Sequence, residues 1–317
     1  MRFPPVTDLK INSEHQSTSG QLPDSIFGLE HANQILEATR PQFGPGIAPQ
    51  LPNQGASTRL RKSLPGGGQW WECLLPFRHF TANDVFDSET YKELSHQFSL
   101  ILETTAGKRE GAYRMRRALG NNDGLVLGLT DKLGIAFSPL FTEAWLRSLA
   151  ELLDLKFLPR VEGALHSNPR GSRTGWIHTD CCSAWFDESS GTMEELMFPP
   201  RGRCNYFTGQ AKVPDAKPKE YIRAATMIFY LCNNGWEQGD GGETGIYSAD
   251  RETEDTAVKL IPPLNNSLFL FECSPHSYHR FVTNPGRTRN SIILWLHASV
   301  HDAQARWGTA INRRDNR

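Results

Sequence analysis

Long apolar runs are missing from this chain: nowhere in its 317 residues does a stretch approach the roughly 20 apolar residues that cross a bilayer. The opening MRFPPVTDLKINSEHQ lacks the apolar centre of a secretory signal, so the reading is of a cytoplasmic protein with no membrane partner. Charge of one sign is missing too. The 34 Lys and Arg against 35 Asp and Glu leave a formal net charge of −1, and without a bulk positive field nucleic acid is not expected as a partner. The six cysteines (Cys73, Cys181, Cys182, Cys204, Cys232 and Cys273) contain no CxxC pair, which speaks against a zinc ribbon or a disulfide framework. They read as reduced thiols. The glycine-rich run Gly239-Asp240-Gly241-Gly242-Glu243 is followed by no Lys-Ser/Thr and no helical pattern, so it reads as a tight turn rather than a phosphate loop. No internal repeat is visible. What the chain does have is apolar material for a core: 38% hydrophobic residues, with 8 Trp and 17 Phe.

Residues 1–68 are rich in Ser, Gln, Pro and Gly and read as an extended, partly mobile arm, with one helix-like stretch near 26–38. Residues 69–300 read as a single domain, and 301–317 as a C-terminal tail. Its first part, 69–155, is expected to give helical support. Asp87 or Ser88 can cap a helix carrying Tyr91, Leu94, Phe98 and Leu102, and Ser138-Pro139 can open a second with Phe141, Trp145 and Leu152 on one face. From 156 to 300 the period changes. FLPRVEGALH, RAATMIFYL, GETGIYS, TAVKLIP, NSLFLFE, YHRFVT and RNSIILWLH are short, rich in β-branched and aromatic residues, and separated by turn residues. Such spacing predicts a sandwich or barrel, hence an α+β, mainly β domain with the upstream helices on one face. The insertion 187–221 is too long and polar for a hairpin loop and reads as a lid.

The chemistry centres on His178-Thr179-Asp180 and a distant His279. In an extended segment, residues two apart point the same way, so His178 and Asp180 can face one ion, and a second imidazole completes the set. Two His and one carboxylate on one face of an octahedron leave three positions open, as in non-haem Fe(II) oxygenases. His276 is the alternative to His279, but the ten residues from His279 to Arg289 suit one strand, a turn and the start of the next. That strand would bring Arg289 back to the metal. A buried guanidinium there is suited to clasp the far carboxylate of a dicarboxylate, with Ser291 on the same strand face.

The order HTD, FYLCNNGWEQGDGGETGIY, SLFLFECSPHSYHRFVT and RTRNSIILWLH resembles the Fe(II)- and 2-oxoglutarate-dependent oxygenases of the prolyl-4-hydroxylase-like group. The resemblance covers about residues 155–300, with a weaker echo at PFRHFTANDVFDSETYKEL. It implies a double-stranded β-helix (jelly roll), Fe(II) held by His178, Asp180 and His279, 2-oxoglutarate held by Arg289, and O₂ as second cosubstrate. No tyrosine matches the second cosubstrate contact that some members place just before HxD; His166 lies in that region as a candidate.

The resemblance further implies hydroxylation of a C–H bond with release of succinate and CO₂. Asp180 fills the position that halogenases of this group leave open, which disfavours halogenation. The basic residues Arg201, Arg203, Lys212, Lys217 and Lys219 of the insertion suggest a small-molecule substrate, such as an amino acid or biosynthetic intermediate, under a lid. A peptidyl prolyl hydroxylase is the alternative within the class, and a non-catalytic jelly-roll binding module the alternative outside it. Glu243 and the tryptophans Trp176, Trp185 and Trp236 are candidates for the pocket's surroundings; oligomeric state is not legible.

Overall fold

The computed structural model describes residues 58–59, 67–106, 115–118, 123–130, 133, 135–189, 194–199, 202–249 and 257–308. The chain divides into Met1–Ala48 and Pro49–Arg317. The first unit, with the helix-like stretch and nearly all of the expected arm, lies outside the described residues.

The strands are β1 (Thr58–Arg59), β2 (Gln69–Cys73), β3 (His79–Asn83), β4 (Arg116–Arg117), β5 (Leu125–Gly128), β6 (Val161–Asn168), β7 (Ser183–Asp187), β8 (Pro218–Tyr230), β9 (Thr244–Ile246), β10 (Lys259–Ile261), β11 (Ser267–Glu272), β12 (His279–Phe281) and β13 (Arg289–Ser299). The α-helices are α1 (Ser88–Ala106), α2 (Glu143–Leu152) and α3 (Val300–Trp307). A ten-stranded antiparallel sheet runs β1-β2-β3-β11-β8-β13-β6-β5-β4, with β7 paired to β8. A small sheet runs β10-β9-β12.

Side chains on the central strands alternate between two buried layers. On the outer face Leu165, Phe229, Leu270, Ile292 and Leu294 pack on Leu94 and Phe98 of α1 and on Trp145 and Leu149 of α2. On the inner face Ile228, Tyr230, Phe269 and Phe271 meet Ile246 and Ile261 of the small sheet. Strand β8 is therefore buried without interruption from Tyr221 to Tyr230, as a strand covered on both faces must be. The two sheets, face to face across this inner layer, form a double-stranded β-helix with α1 and α2 on one outer face, while α3 packs on Ile222, Ala224 and Cys273.

The first helix starts where its capping signal lies: the Asp87 carboxylate accepts the backbone N–H groups of Glu89 and Thr90. The second does not. Ile135–Phe141 is a 3-10 helix that includes Pro139, and the α-helix begins after Thr142, whose hydroxyl accepts the Trp145 N–H. Ser138 lies inside the 3-10 helix, just after the non-helical Phe137, so the cap falls to Thr142. The 69–155 segment is also less helical than expected. It supplies β2 to β5, and the β2–β3 hairpin pairs onto β11, extending the large sheet at its edge. Residues 301–308, set apart above as tail, largely form α3. Ser299 caps it by accepting the Asp302 N–H, Ala303 is fully buried, and Arg306 and Trp307 bind Glu272.

Candidate active site

His178 and His279 face each other across an antiparallel bridge, each backbone N–H donating to the other's carbonyl at 3.1 and 2.9 Å. The HTD segment thus adds one more strand-like edge to β12, and the pairing puts both rings on one side with centroids 4.5 Å apart. The Nδ1 of His178 lies 2.8 Å from the Trp176 carbonyl, and that of His279 lies 3.0 Å from the Ser277 carbonyl. A carbonyl only accepts, so each Nδ1 carries the proton and each Nε2 offers its lone pair. Asp180 completes the set: its oxygens lie 3.8 Å from His178 Nε2 and 3.7 Å from His279 Nε2. All three donor atoms fall within 4.8 Å of one another.

Burial pushes His279 down to about 4, with the His178 ring adding to the effect, so it is a neutral ligand at neutral pH. Burial would raise the Asp180 carboxyl. The His279 and His178 rings, the permanently charged Arg223 and the Trp295 indole N–H outweigh it and hold the group well below the usual carboxylate range. Asp180 Oδ2 accepts the Thr226 hydroxyl and Trp295 Nε1, each at 2.8 Å, and Arg223 Nη1 stands 3.7 Å from Oδ1. A deprotonated carboxylate beside two imidazoles that each present Nε2 is the donor set that Fe(II) takes, so these residues fit the metal.

Arg289 opens β13 on the same inner face. It is 5% exposed and has no carboxylate partner among the described residues. Its contacts are Asn168 Oδ1 at 3.5 Å, Thr244 Oγ1 at 3.3 Å, and the faces of Tyr230 and Phe281 at 5.2 and 5.6 Å. Nε has no acceptor, and burial lowers its pKa. A lone buried cation is costly unless an anion joins it. Next to it in register, Ser291 lies between His166 on β6 and Tyr230 on β8, and Ser291 Oγ and His166 Nε2 are both buried without partners. Burial, then Arg289, pushes His166 down to about 3, so it stands as a neutral ring. Orphaned donors around an unpaired guanidinium describe a cradle for a carboxylate-bearing ligand. Gly242 makes the approach possible. With φ +83° it lies where an added Cβ would come within 3.1 Å of Arg289 Cβ, so the glycine-rich turn serves to admit this arginine.

His276 is exposed and outside the cluster. Trp236 donates Nε1 to the Gly241 carbonyl and braces the turn, Trp185 packs where Gly209 leaves room, and Trp176 is 72% exposed. Glu243 is buried, and its pKa is raised by burial. Sequence reasoning missed Thr226, Tyr230 and Trp295, and also Arg223 and Thr244. The period of two was the available signal for the first three: 289, 291, 293 and 295 share one face of β13, and 226, 228 and 230 one face of β8.

Residues 205–297 match the family model of the 2OG-Fe(II) oxygenase superfamily. The matched stretch is similar to a 2OG-Fe(II) oxygenase domain, and Fe(II), 2-oxoglutarate and O₂ are the cofactor and cosubstrates this family implies. Among its relatives, a prolyl 3-hydroxylase OGFOD1 of Xenopus laevis is 36% identical over 78 residues, covering 24% of this chain and 15% of the relative. A prolyl 3,4-dihydroxylase OGFOD1 of Ostreococcus tauri is 35% identical over 101 residues, 30% of this chain and 20% of that one. The matched stretches thus span a fifth or less of those relatives. Among solved structures, a Pseudomonas putida prolyl-4-hydroxylase overlaps with a TM-score of 0.38 at 16% identity, covering 65% of this chain and 86% of that one. A Trichoplax adhaerens prolyl hydroxylase in complex with a hypoxia inducible factor peptide fragment gives 0.42 at 14% identity, covering 72% and 86%.

These relatives correct the expectation of a small-molecule substrate: the proteins that match in sequence are named as hydroxylases of prolyl residues, which are units of a polypeptide. The described residues of the insertion form a ledge, in which Asp187 accepts the backbone N–H groups of Ser189 and Lys217 and pairs with Arg203, and β8 already begins at Pro218. No helix among the described residues is long and apolar enough to cross a membrane.

Proposed function

We propose that this domain is an Fe(II)- and 2-oxoglutarate-dependent prolyl hydroxylase acting on a residue of a polypeptide. The observation that carries the reading is Arg289, a buried guanidinium with no counter-ion among the described residues, in line with a His-Asp-His face on one inner sheet surface. In this reading His178, Asp180 and His279 hold the iron, and Arg289 binds the far carboxylate of 2-oxoglutarate. The Ser291 hydroxyl and the neutral His166 ring offer further hydrogen bonds to the same ligand.

When bound, iron and 2-oxoglutarate activate O₂ for C–H oxidation with release of succinate and CO₂; the protein supplies placement. Thr226 and Trp295 fix the Asp180 carboxylate in one rotamer. The carbonyls of Trp176 and Ser277 fix the tautomer of the two imidazoles. The Tyr230 and Phe281 rings wall Arg289 from water, which strengthens its hold on a carboxylate, and Tyr230 is itself held by Thr244 at 2.7 Å.

The test is anaerobic addition of Fe(II) and then 2-oxoglutarate to metal-free protein, read by the visible metal-to-ligand charge-transfer band. Succinate release is then measured with proline-containing polypeptides. A band in the parent that is lost in Asp180→Ala supports the site. Folded, iron-loaded protein with no band at saturating 2-oxoglutarate overturns it, and succinate release driven by free amino acids but by no polypeptide overturns the substrate class.

A further inference from the structure

The inner row that begins at Arg289 does not end at the metal face. In the β13–β6 register Arg289 faces Asn168, Ser291 faces His166 and Trp295 faces Glu162. Glu162 therefore stands at the far end of the row, beside the indole that holds Asp180. Arg223 ties this end together. It donates to Glu162 and to the Tyr206 hydroxyl, lies 3.7 Å from Asp180 and sits over the Trp295 ring at 4.1 Å.

Tyr206 belongs to a tight hairpin of the 187–221 insertion, closed by the Cys204–Ala211 bridge and anchored where the Tyr206 hydroxyl meets His297 Nε2 at 2.9 Å. Beyond it Leu129, Glu162, Pro199 and Tyr206 enclose a cleft of about 470 Å³, within the roughly 300–1,000 Å³ of small-ligand pockets. Phe207 and Lys212 form part of its lining. Phe207 is 42% exposed, and it is displayed there by an Asx turn, Asn205 Oδ1 accepting the N–H groups of Phe207 and Thr208. Lys212 is exposed and has no carboxylate partner among the described residues, whereas Arg203 nearby is neutralised by Asp187 and Asp215.

The geometry points to this cleft as the pocket that receives an aromatic or large aliphatic side chain of the polypeptide substrate, with an acidic residue beside it set against Lys212. The inference rests on the prolyl hydroxylase reading and names what that enzyme would select. Two observations commit the cleft to this occupant. It continues the active-site row through Glu162, Arg223 and Asp180. Its lining sets Leu129, Pro199, Tyr206 and Phe207 beside the exposed Lys212, while its one carboxylate, Glu162, is taken up by Arg223, a composition that anchors a hydrophobic side chain with a neighbouring carboxylate.

The probes are fluorescein-labelled, proline-centred 11-residue peptide pools in which the flanking positions carry Phe with Asp, Leu with Asp, Ala with Asp, or Phe with Lys. Binding is read by polarisation on full-length, Fe(II)- and 2-oxoglutarate-loaded protein without O₂. The parent is expected to bind the Phe-Asp pool at least fivefold more tightly than the Ala-Asp and Phe-Lys pools. Phe207→Ala should remove the preference for Phe over Ala, and Lys212→Glu should reverse that for Asp over Lys, with thermal unfolding midpoints held near the parent's. Equal binding of all pools by the parent, no binding of any, or preferences untouched by both variants overturns the pocket. The charge-transfer band of the same loaded sample separates the two failures: a band with no pool preference refutes the pocket alone, and no band refutes the enzyme reading beneath it.

Discussion

Replacing Arg289 with methionine removes a charge while keeping a long apolar stem. In the free protein this guanidinium is buried against Tyr230 and Phe281 with one orphaned Nε–H. Exchange of a buried, unpaired charge for an apolar side chain of similar length is neutral or stabilising. With 2-oxoglutarate the sign reverses. Hydrogen bonds between charged groups contribute about 1.5–3 kcal/mol each, so loss of two gives about 3 kcal/mol or more. At 1.4 kcal/mol per decade that is at least a hundredfold weaker binding. At a ligand concentration of 100 times Kd the parent gains about 2.7 kcal/mol. For a domain of this size, where 1 kcal/mol moves Tm by about 2–4 °C, the shift is about 5–11 °C. The variant at the same concentration gains about 0.4 kcal/mol, a shift of about 1–2 °C. Anaerobic differential scanning fluorimetry with Fe(II), with and without 2-oxoglutarate, reads both effects. A variant whose ligand-free Tm falls by many degrees while its ligand-induced shift equals the parent's would refute the reasoning and make Arg289 a structural residue.

Three other perturbations probe the same framework. Gly242→Ala places a Cβ against Arg289 at a φ of +83°; a cost of about 1–2 kcal/mol and a higher 2-oxoglutarate requirement in the charge-transfer titration are expected, and an unchanged titration would show that the arginine tolerates displacement. Trp295→Phe keeps an aromatic under Arg223 but removes the N–H on Asp180, so Fe(II) affinity should drop about tenfold or more by anaerobic titration with little loss of fold. Burial pushes His79 down to about 4 and His166 and His297 to about 3. Unfolded chains protonate these rings near pH 6.5 while the folded protein does not, so their stabilising contribution is full above that pH and is lost as pH falls toward 4. With His279, likewise lowered to about 4, four such groups give up to about 5 kcal/mol per pH unit, and stability from pH 7.5 to 4.5 by urea unfolding should show that slope, reduced by one proton's worth in His79→Phe.

The strands after residue 155 were legible because alternation and turn residues agreed there: NSLFLFE became β11 and RNSIILWLH most of β13. The helix after Asp87 was legible because one carboxylate caps it. The β2–β3 hairpin was not. QWWEC and HFTAN are too short to show a period, and only pairing with β11 makes them strands. His178, Asp180, His279 and Arg289 could be named from spacing because each lies at a strand edge or start, where sequence distance tracks position. Arg223 escaped because nothing local marks it. Its meaning comes from Glu162 and Trp295, sixty-one and seventy-two positions away, which only the folded sheet brings to its side. The direction of the substrate inference failed for a similar reason: basic residues in 187–221 were counted as a field, whereas Arg203 is spent on Asp187 and Asp215 within the ledge itself.

Strand β13 carries both the hydrophobic layer and the chemistry on alternate residues: Ile292, Leu294 and Leu296 outward, Arg289, Ser291 and Trp295 inward. A pairing error of one residue would turn the guanidinium into the helix layer and three aliphatic side chains into the polar centre at the same moment. Mispaired molecules of this protein would therefore be unstable as well as inactive. Correct register of this one strand therefore sets the hydrophobic layer and the position of the guanidinium together.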